Sequence, residues 1–83
     1  PNPFNPRTTV AFTLPAAQHV RLRIFDVRGR QVATLADEIR GAGRHEVIWE
    51  GTTDAGAAVP SGVYVCRLDA DGSRDTVRMV LAR

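Results

Sequence analysis

Gly41-Ala42-Gly43-Arg44-His45-Glu46-Val47-Ile48-Trp49-Glu50-Gly51, followed after a loop by Pro60-Ser61-Gly62-Val63-Tyr64-Val65-Cys66-Arg67-Leu68, decides how the chain is read. These runs hold the only Trp and the only Tyr. In the first, His45, Val47 and Trp49 fall on one face and Glu46, Ile48 and Glu50 on the other. In the second, Tyr64, Cys66 and Leu68 alternate with Val63, Val65 and Arg67. Successive side chains of a strand point to opposite faces, so this alternation predicts two half-buried strands. Trp49, facing inward, is expected to be the largest contributor to the core. Between the runs, Gly51 to Ala58 reads as a loop with a tight turn at Asp54-Ala55-Gly56. Val59-Pro60 reads as a short edge segment, because proline cannot donate to a central ladder.

On the N-terminal side, Pro1 to Pro6 carries three prolines, which favour an extended lead-in. Residues 1–7 therefore read as the exit of a linker, with Phe4 free to anchor it, and residues 8–83 as one domain. Thr8 to Leu14 alternates, with Val10, Phe12 and Leu14 on one face. After a turn at Pro15-Ala16-Ala17-Gln18, His19 to Asp26 places Val20, Leu22 and Ile24 inward, and Arg21 and Arg23 outward on a wet face. Asp26-Val27-Arg28-Gly29-Arg30 is a hairpin turn in which Gly29 can take positive φ. The next segment is ambiguous. Val32, Leu35, Ala36 and Ile39 follow helical spacing, and Gly41 would stop a helix. The preferred reading is a strand to about Leu35 followed by a loop, with a short helix over residues 31–40 as the alternative.

On the C-terminal side, Asp71-Gly72 is a strong hairpin signal. Arg74 to Ala82 returns with Val77, Met79 and Leu81 on one face. Six clear strands and one short one, joined by tight turns, predict an all-β, antiparallel two-sheet sandwich of about seven strands. Its expected core is Val10, Phe12, Leu22, Ile24, Val47, Trp49, Tyr64, Leu68 and Met79.

Composition narrows the function. With 83 residues the core is modest and the domain single. The eleven basic residues are all Arg, but they are spread from Arg7 to Arg83 among nine acids. The net charge of +2 gives little field for nucleic acid. No apolar run is long enough to span a membrane. Nothing at the start reads as a signal peptide, so export would depend on a signal elsewhere in a longer parent chain. One cysteine forms no internal disulfide, and Cys66 reads as a small buried hydrophobe.

Candidate chemistry is sparse. His19 and His45 are far apart and neither has a second ligand at metal spacing. His45 is expected to pack beside Trp49 with its ring nitrogens satisfied by backbone or water, and His19 to face solvent. Asp26, Asp37, Asp54 and Asp71 read as turn residues bonding the backbone. Glu50 and Asp54 bracket Gly51 and with loop carbonyls could hold calcium, but they lack a dense ligand pattern. Ser61 is not in a nucleophile elbow. The expectation is no catalysis, no cofactor and no metal.

Four ordered segments carry a resemblance. They are Asn2-Pro3-Phe4-Asn5-Pro6 with Thr9 to Pro15; Val20 to Asp26 with Gly29-Arg30-Gln31-Val32; Ala42 to Gly51; and Gly56, Val59, Ser61-Gly62-Val63-Tyr64 with Arg67-Leu68. Together they resemble the immunoglobulin-like domain of flagellar hook-capping proteins, and are similar to C-terminal sorting domains of the type IX (Por) secretion system. The resemblance implies an immunoglobulin-like sandwich appended to a secreted or surface bacterial protein, exported through the periplasm to the cell surface or medium. It implies a non-catalytic sorting module recognised by the secretion machinery, with Asn5, Pro6, Gly62, Tyr64, Arg78 and Arg83 in the positions of the sorting pattern. Trp49-Glu50 stands where the family has Trp-Asp, Arg where it has a terminal Lys, and Cys66 where an aromatic is common. The alternative is a spacer or assembly module packing against neighbouring domains of the parent protein, as in hook capping. A carbohydrate-binding accessory domain has only the fold in its favour.

Overall fold

A computed structural model describes residues 7–83. Among the described residues six strands follow one another: β1 (Thr8–Leu14), β2 (Gln18–Asp26), β3 (Gln31–Arg40), β4 (Gly43–Trp49), β5 (Gly62–Ala70) and β6 (Ser73–Leu81). They form two antiparallel sheets, one of two strands in the order β1-β4, the other of four in the order β3-β2-β5-β6. The expected seventh strand at Val59-Pro60 is absent, and a single bridge, Thr52 to Ala58, stands in its place. Pro60 removes the donor a longer ladder needs, while the Val59 N–H bonds the Gly51 carbonyl at 3.0 Å.

The turns follow their sequences. Asp71 and Gly72 take φ of +46° and +82°, the two positive values that a two-residue hairpin between right-twisted strands demands. At the β2–β3 turn, Asp26 Oδ1 accepts the N–H groups of Arg28 (2.9 Å) and Arg30 (3.0 Å), and Gly29 sits at +85°. Thr53 to Gly56 closes with a 2.9 Å backbone bond, placing the loop turn one residue wider than Asp54-Ala55-Gly56.

β3 is a strand throughout, so neither the helix nor the loop after Leu35 exists. The misleading spacing has a structural cause. The ladder with β2 shifts twice, leaving Val32 and Leu35 without a cross-strand partner. Each bulge inserts one residue, so Ala33 and Ala36, which face Ile24 and Leu22 two apart on β2, stand three apart on β3, while Ile39 lies exposed on the other face. Ala33 and Ala36 are buried, and Val32 and Leu35 pack against the same core.

That core lies between the sheets. Trp49, Leu22, Ile24 and Val20 are fully enclosed, joined by Leu14, Tyr64, Cys66, Met79 and Leu81. The Trp49 ring meets Tyr64 edge-on at 5.2 Å, and its Nε1–H bonds the Thr52 carbonyl at 2.9 Å. Of the expected core, Val10, Phe12, Val47 and Leu68 are only partly buried. Two strands cannot cover four, and an open groove lined by Val10, Phe12, Leu68 and Val77 remains beside β1. Val77, on the same face of β6 as Met79 and Leu81, is 58% exposed for the same reason.

Candidate functional site

Of the described sorting-pattern residues, Gly62, Tyr64 and Arg83 gather about the 59–62 segment, and Arg78 stands apart. Asn5 and Pro6 lie outside the described residues. Gly62 opens β5. Tyr64 is buried, and its hydroxyl donates to the Pro60 carbonyl at 2.7 Å, fastening the start of β5 to the preceding loop. Arg83 is a structural clamp. Its backbone N–H bonds Ser61 Oγ (2.9 Å), its Nε the Val59 carbonyl (2.6 Å), and its Nη2 the Gly51 carbonyl (2.5 Å). Gly51, at φ +72°, admits this approach, because a Cβ there would stand 2.9 Å from Arg83 Nη2. Arg78 projects from the opposite side of β6 and is exposed.

The groups with chemical potential are occupied by the fold. His45 stacks on Phe12 at 5.4 Å rather than on Trp49, because it lies across from Phe12 in the β1–β4 register, and its Nε2 contacts the Gly41 carbonyl at 2.7 Å. Exposed His19 lies 2.7 Å from Asp37, which belongs to β3 and not to a turn. Asp54 Oδ1 accepts the Thr34 N–H at 2.9 Å, tying the loop to β3, while Glu50 faces Arg7. Ser61 Oγ is the acceptor for Arg83. Among the described residues no three His, Cys, Asp or Glu side chains gather in a way that could hold a metal.

What the sequence does not reveal is the outer face of the four-stranded sheet. Residues opposite one another in a ladder share a face. Register therefore builds three rows across it: Asp37, Arg21, Asp69, Arg74; Thr34, Arg23, Arg67, Thr76; and Gln31, Phe25, Val65, Arg78. Five arginines from three strands thus meet two aspartates. In sequence they are dispersed. Only the pairing of β2 with β5, from the far half of the chain, gathers them.

At the centre, Arg23 is 9% exposed, so the face expected to be wet is closed there. Its guanidinium lies 5.3 Å from the centre of the Phe25 ring, and that of Arg67 lies 4.2 Å from it. Arg23 and Arg67 stand directly opposite each other, a repulsive pairing unless compensated. Asp69 compensates it. Its Oδ2 accepts from Arg23 at 2.7 Å and lies 3.6 Å from Arg67 Nε, while its Oδ1 accepts from Arg74 at 2.6 Å. Hydrogen bonds from Arg74, then Arg23, hold the Asp69 carboxyl below the ordinary value. Desolvation, then the charges of Arg74 and Arg23, pulls Arg67 below the usual arginine range. One carboxylate cannot saturate three guanidinia, and the Nε atoms of Arg23 and Arg67 are buried without a hydrogen-bond partner.

The family model described as FlgD Ig-like domain matches residues 5–74. The chain belongs to the FlgD Ig-like domain family. Among solved structures, FlgD from P. aeruginosa superimposes with a TM-score of 0.71 at 22% identity, over 90% of this chain and 60% of that one. At that identity the likeness is one of fold, and it establishes the immunoglobulin-like sandwich. The chain spans three-fifths of the length of the FlgD structure it matches. No curated protein matches the sequence significantly.

Proposed function

We propose that this domain is a non-catalytic structural module that packs against neighbouring domains of its parent protein during assembly. Membership of the FlgD Ig-like family carries this reading. The disposition of its polar groups supports it. Asp26, Asp54, Ser61 and Arg83 hold turns and loops together, which leaves a rigid body with a patterned surface rather than a reaction centre. Export of the parent protein, through the periplasm to the cell surface or medium, belongs to the same proposal.

The rival is a sorting signal read by type IX secretion machinery. Two experiments separate them. In the first, residues 8–83 of the parent are replaced by a flexible linker of equal reach; the assembly reading expects export to continue and assembly to fail. In the second, residues 1–83 are fused to a periplasmic reporter in a host with a type IX system. Delivery of that reporter to the surface would establish the sorting role and displace the assembly reading. Retention in the periplasm leaves assembly standing.

A further inference from the structure

We propose that the outer face of the four-stranded sheet docks an extended, acidic polypeptide segment that also carries apolar side chains. This deepens the assembly reading by naming the chemistry of the partner, and rests on it. Charge complementarity is the first argument. Arg21, Arg23, Arg67, Arg74 and Arg78 share this face with Asp37 and Asp69 alone among acids in the three rows. Asp69 is engaged closely by Arg23 and Arg74 and only at 3.6 Å by Arg67, while Arg78 has no ion pair among the described residues, so Arg67 and Arg78 are the guanidinia left to meet a carboxylate from outside. Preorganisation is the second. Stacking on Phe25 fixes the plane of Arg67, so little rotamer freedom is lost when a carboxylate binds it.

The shape and the margins select a polypeptide. A sheet face presents its side chains at a strand's i, i+2 interval, about 7 Å, which is the interval of alternate side chains along an extended peptide. Ile39 and Val80, both 75% exposed, lie on the same face as register partners of His19 and Val63, next to the basic rows. Apolar margins on either side of a basic centre match an extended segment whose docked face is acidic at its middle i, i+2 positions and apolar at its ends, and offer nothing to a sugar-phosphate backbone. Asp69 offsets the facing Arg23 and Arg67 only in part, since the Nε atoms of both have no hydrogen-bond partner, and an external carboxylate would add the negative charge the arrangement is short of.

The test titrates the chain of residues 1–83 into three fluorescein-labelled probes, followed by anisotropy. The first is a peptide with Glu at alternate positions through its middle, Thr between them and Val at both ends, the second has Gln for every Glu, and the third is a single-stranded oligonucleotide. The acidic peptide is expected to bind about tenfold or more tighter than the Gln peptide, and to weaken about tenfold between roughly 0.05 and 0.5 M salt. Arg78→Gln, in an exposed position away from the Asp69 hub, should weaken binding about fivefold to tenfold with unchanged melting. Arg67→Gln should weaken binding similarly but also lower the melting temperature, because its stacking on Phe25 is lost, and Arg44→Gln on the two-stranded sheet should do nothing to binding. Equal binding of the acidic and Gln peptides would overturn the proposal. So would wild-type affinity in both Arg78→Gln and Arg67→Gln, or an oligonucleotide bound as tightly as the acidic peptide. Because this is measured on the isolated chain, it separates from the assembly test. Peptide binding that maps to the face, with assembly intact after domain replacement, would remove the assembly reading and keep the surface.

Discussion

β2 and β5 run side by side through the middle of the larger sheet, and each presents two faces. Toward the smaller sheet they offer Leu22, Ile24, Cys66 and Leu68; away from it they offer Arg23, Phe25, Val65 and Arg67. The two centres are closed to similar degrees, with Ile24 at 0% and Arg23 at 9% exposed. The forces closing them differ. The inner face is held by apolar burial, which is non-directional and indifferent to pH. The outer face is held by guanidinium–aromatic stacking and by bonds converging on one carboxylate, which are directional and sensitive to acid and salt. Burial therefore does not by itself identify a hydrophobic core. One sheet can carry an unconditional face and a conditional one.

The contrast is broken most severely from the inner side. Trp49→Ala should cost about 3–5 kcal/mol and lower Tm by about 15 °C or more. An unchanged melting temperature would mean the inner face is not where the stability resides. On the outer side, Asp69→Asn removes the shared acceptor and should lower Tm by about 5 °C, a smaller fall that shrinks further in high salt.

Acid sharpens the contrast. The carboxyls of Asp69 and Asp26 are both held below the ordinary value, Asp69 first by the Arg74 side chain and Asp26 first by the Arg30 backbone N–H. A carboxyl with a depressed folded-state pKa stabilises above the unfolded value and loses that contribution as pH falls through the folded one. Tm should therefore be flat above about pH 5 and fall below about pH 4, and Asp69→Asn should flatten that slope. Trp49→Ala should leave its shape unaltered.

Smaller effects distinguish positions at the margins. Arg83→Gln loses the bonds to the Val59 and Gly51 carbonyls and should lower Tm by about 5 °C. Arg78→Gln, exposed on the outer face, should shift it by less than about 2 °C. Equal shifts would show that Arg83 is not a clamp. The smallest expected signal comes from the inner face again. Burial pushes the Cys66 thiol up to about 11, so iodoacetamide at neutral pH should label it only as the domain unfolds. Rapid labelling of the native protein would show that the inner face opens without global unfolding.

Much of the fold is legible in the sequence, for reasons that differ from strand to strand. Period-two alternation locates β1, β2, β4, β5 and β6 because each has one apolar face, and Asp71-Gly72 marks the last hairpin through its backbone requirement alone. β3 misleads because its two bulges, at Val32 and Leu35, break the period of two, and after Ala36 the exposed Asp37, Glu38 and Ile39 show no apolar alternation; a bulge is a property of the pair rather than of the strand. The arginine face is hidden for a related reason. Arg21 and Arg23 advertise a shared face, but Arg67, Arg74 and Arg78 join them only through register, which no local pattern encodes. The alternation of Arg21, Arg23 and Phe25 on one side of β2 is the available hint, since an aromatic seldom sits on a face that is meant to stay wet.

The bonds of Arg83 reach back 22, 24 and 32 residues, to Ser61, Val59 and Gly51. In a chain made from its N-terminus, β1 to β4 can be complete while the loop that follows them still lacks its fastening. That loop also carries the Thr52 carbonyl that receives the Trp49 indole, so the central ring is secured through the same segment. Contacts of such long separation are slow to form, and these can form only after β6 has been laid down. Maturation of the domain should accordingly be abrupt and late. While residue 83 is still inside the ribosome, the 51–61 segment of the nascent chain should remain sensitive to protease, and emergence of that one arginine should protect it in a single step.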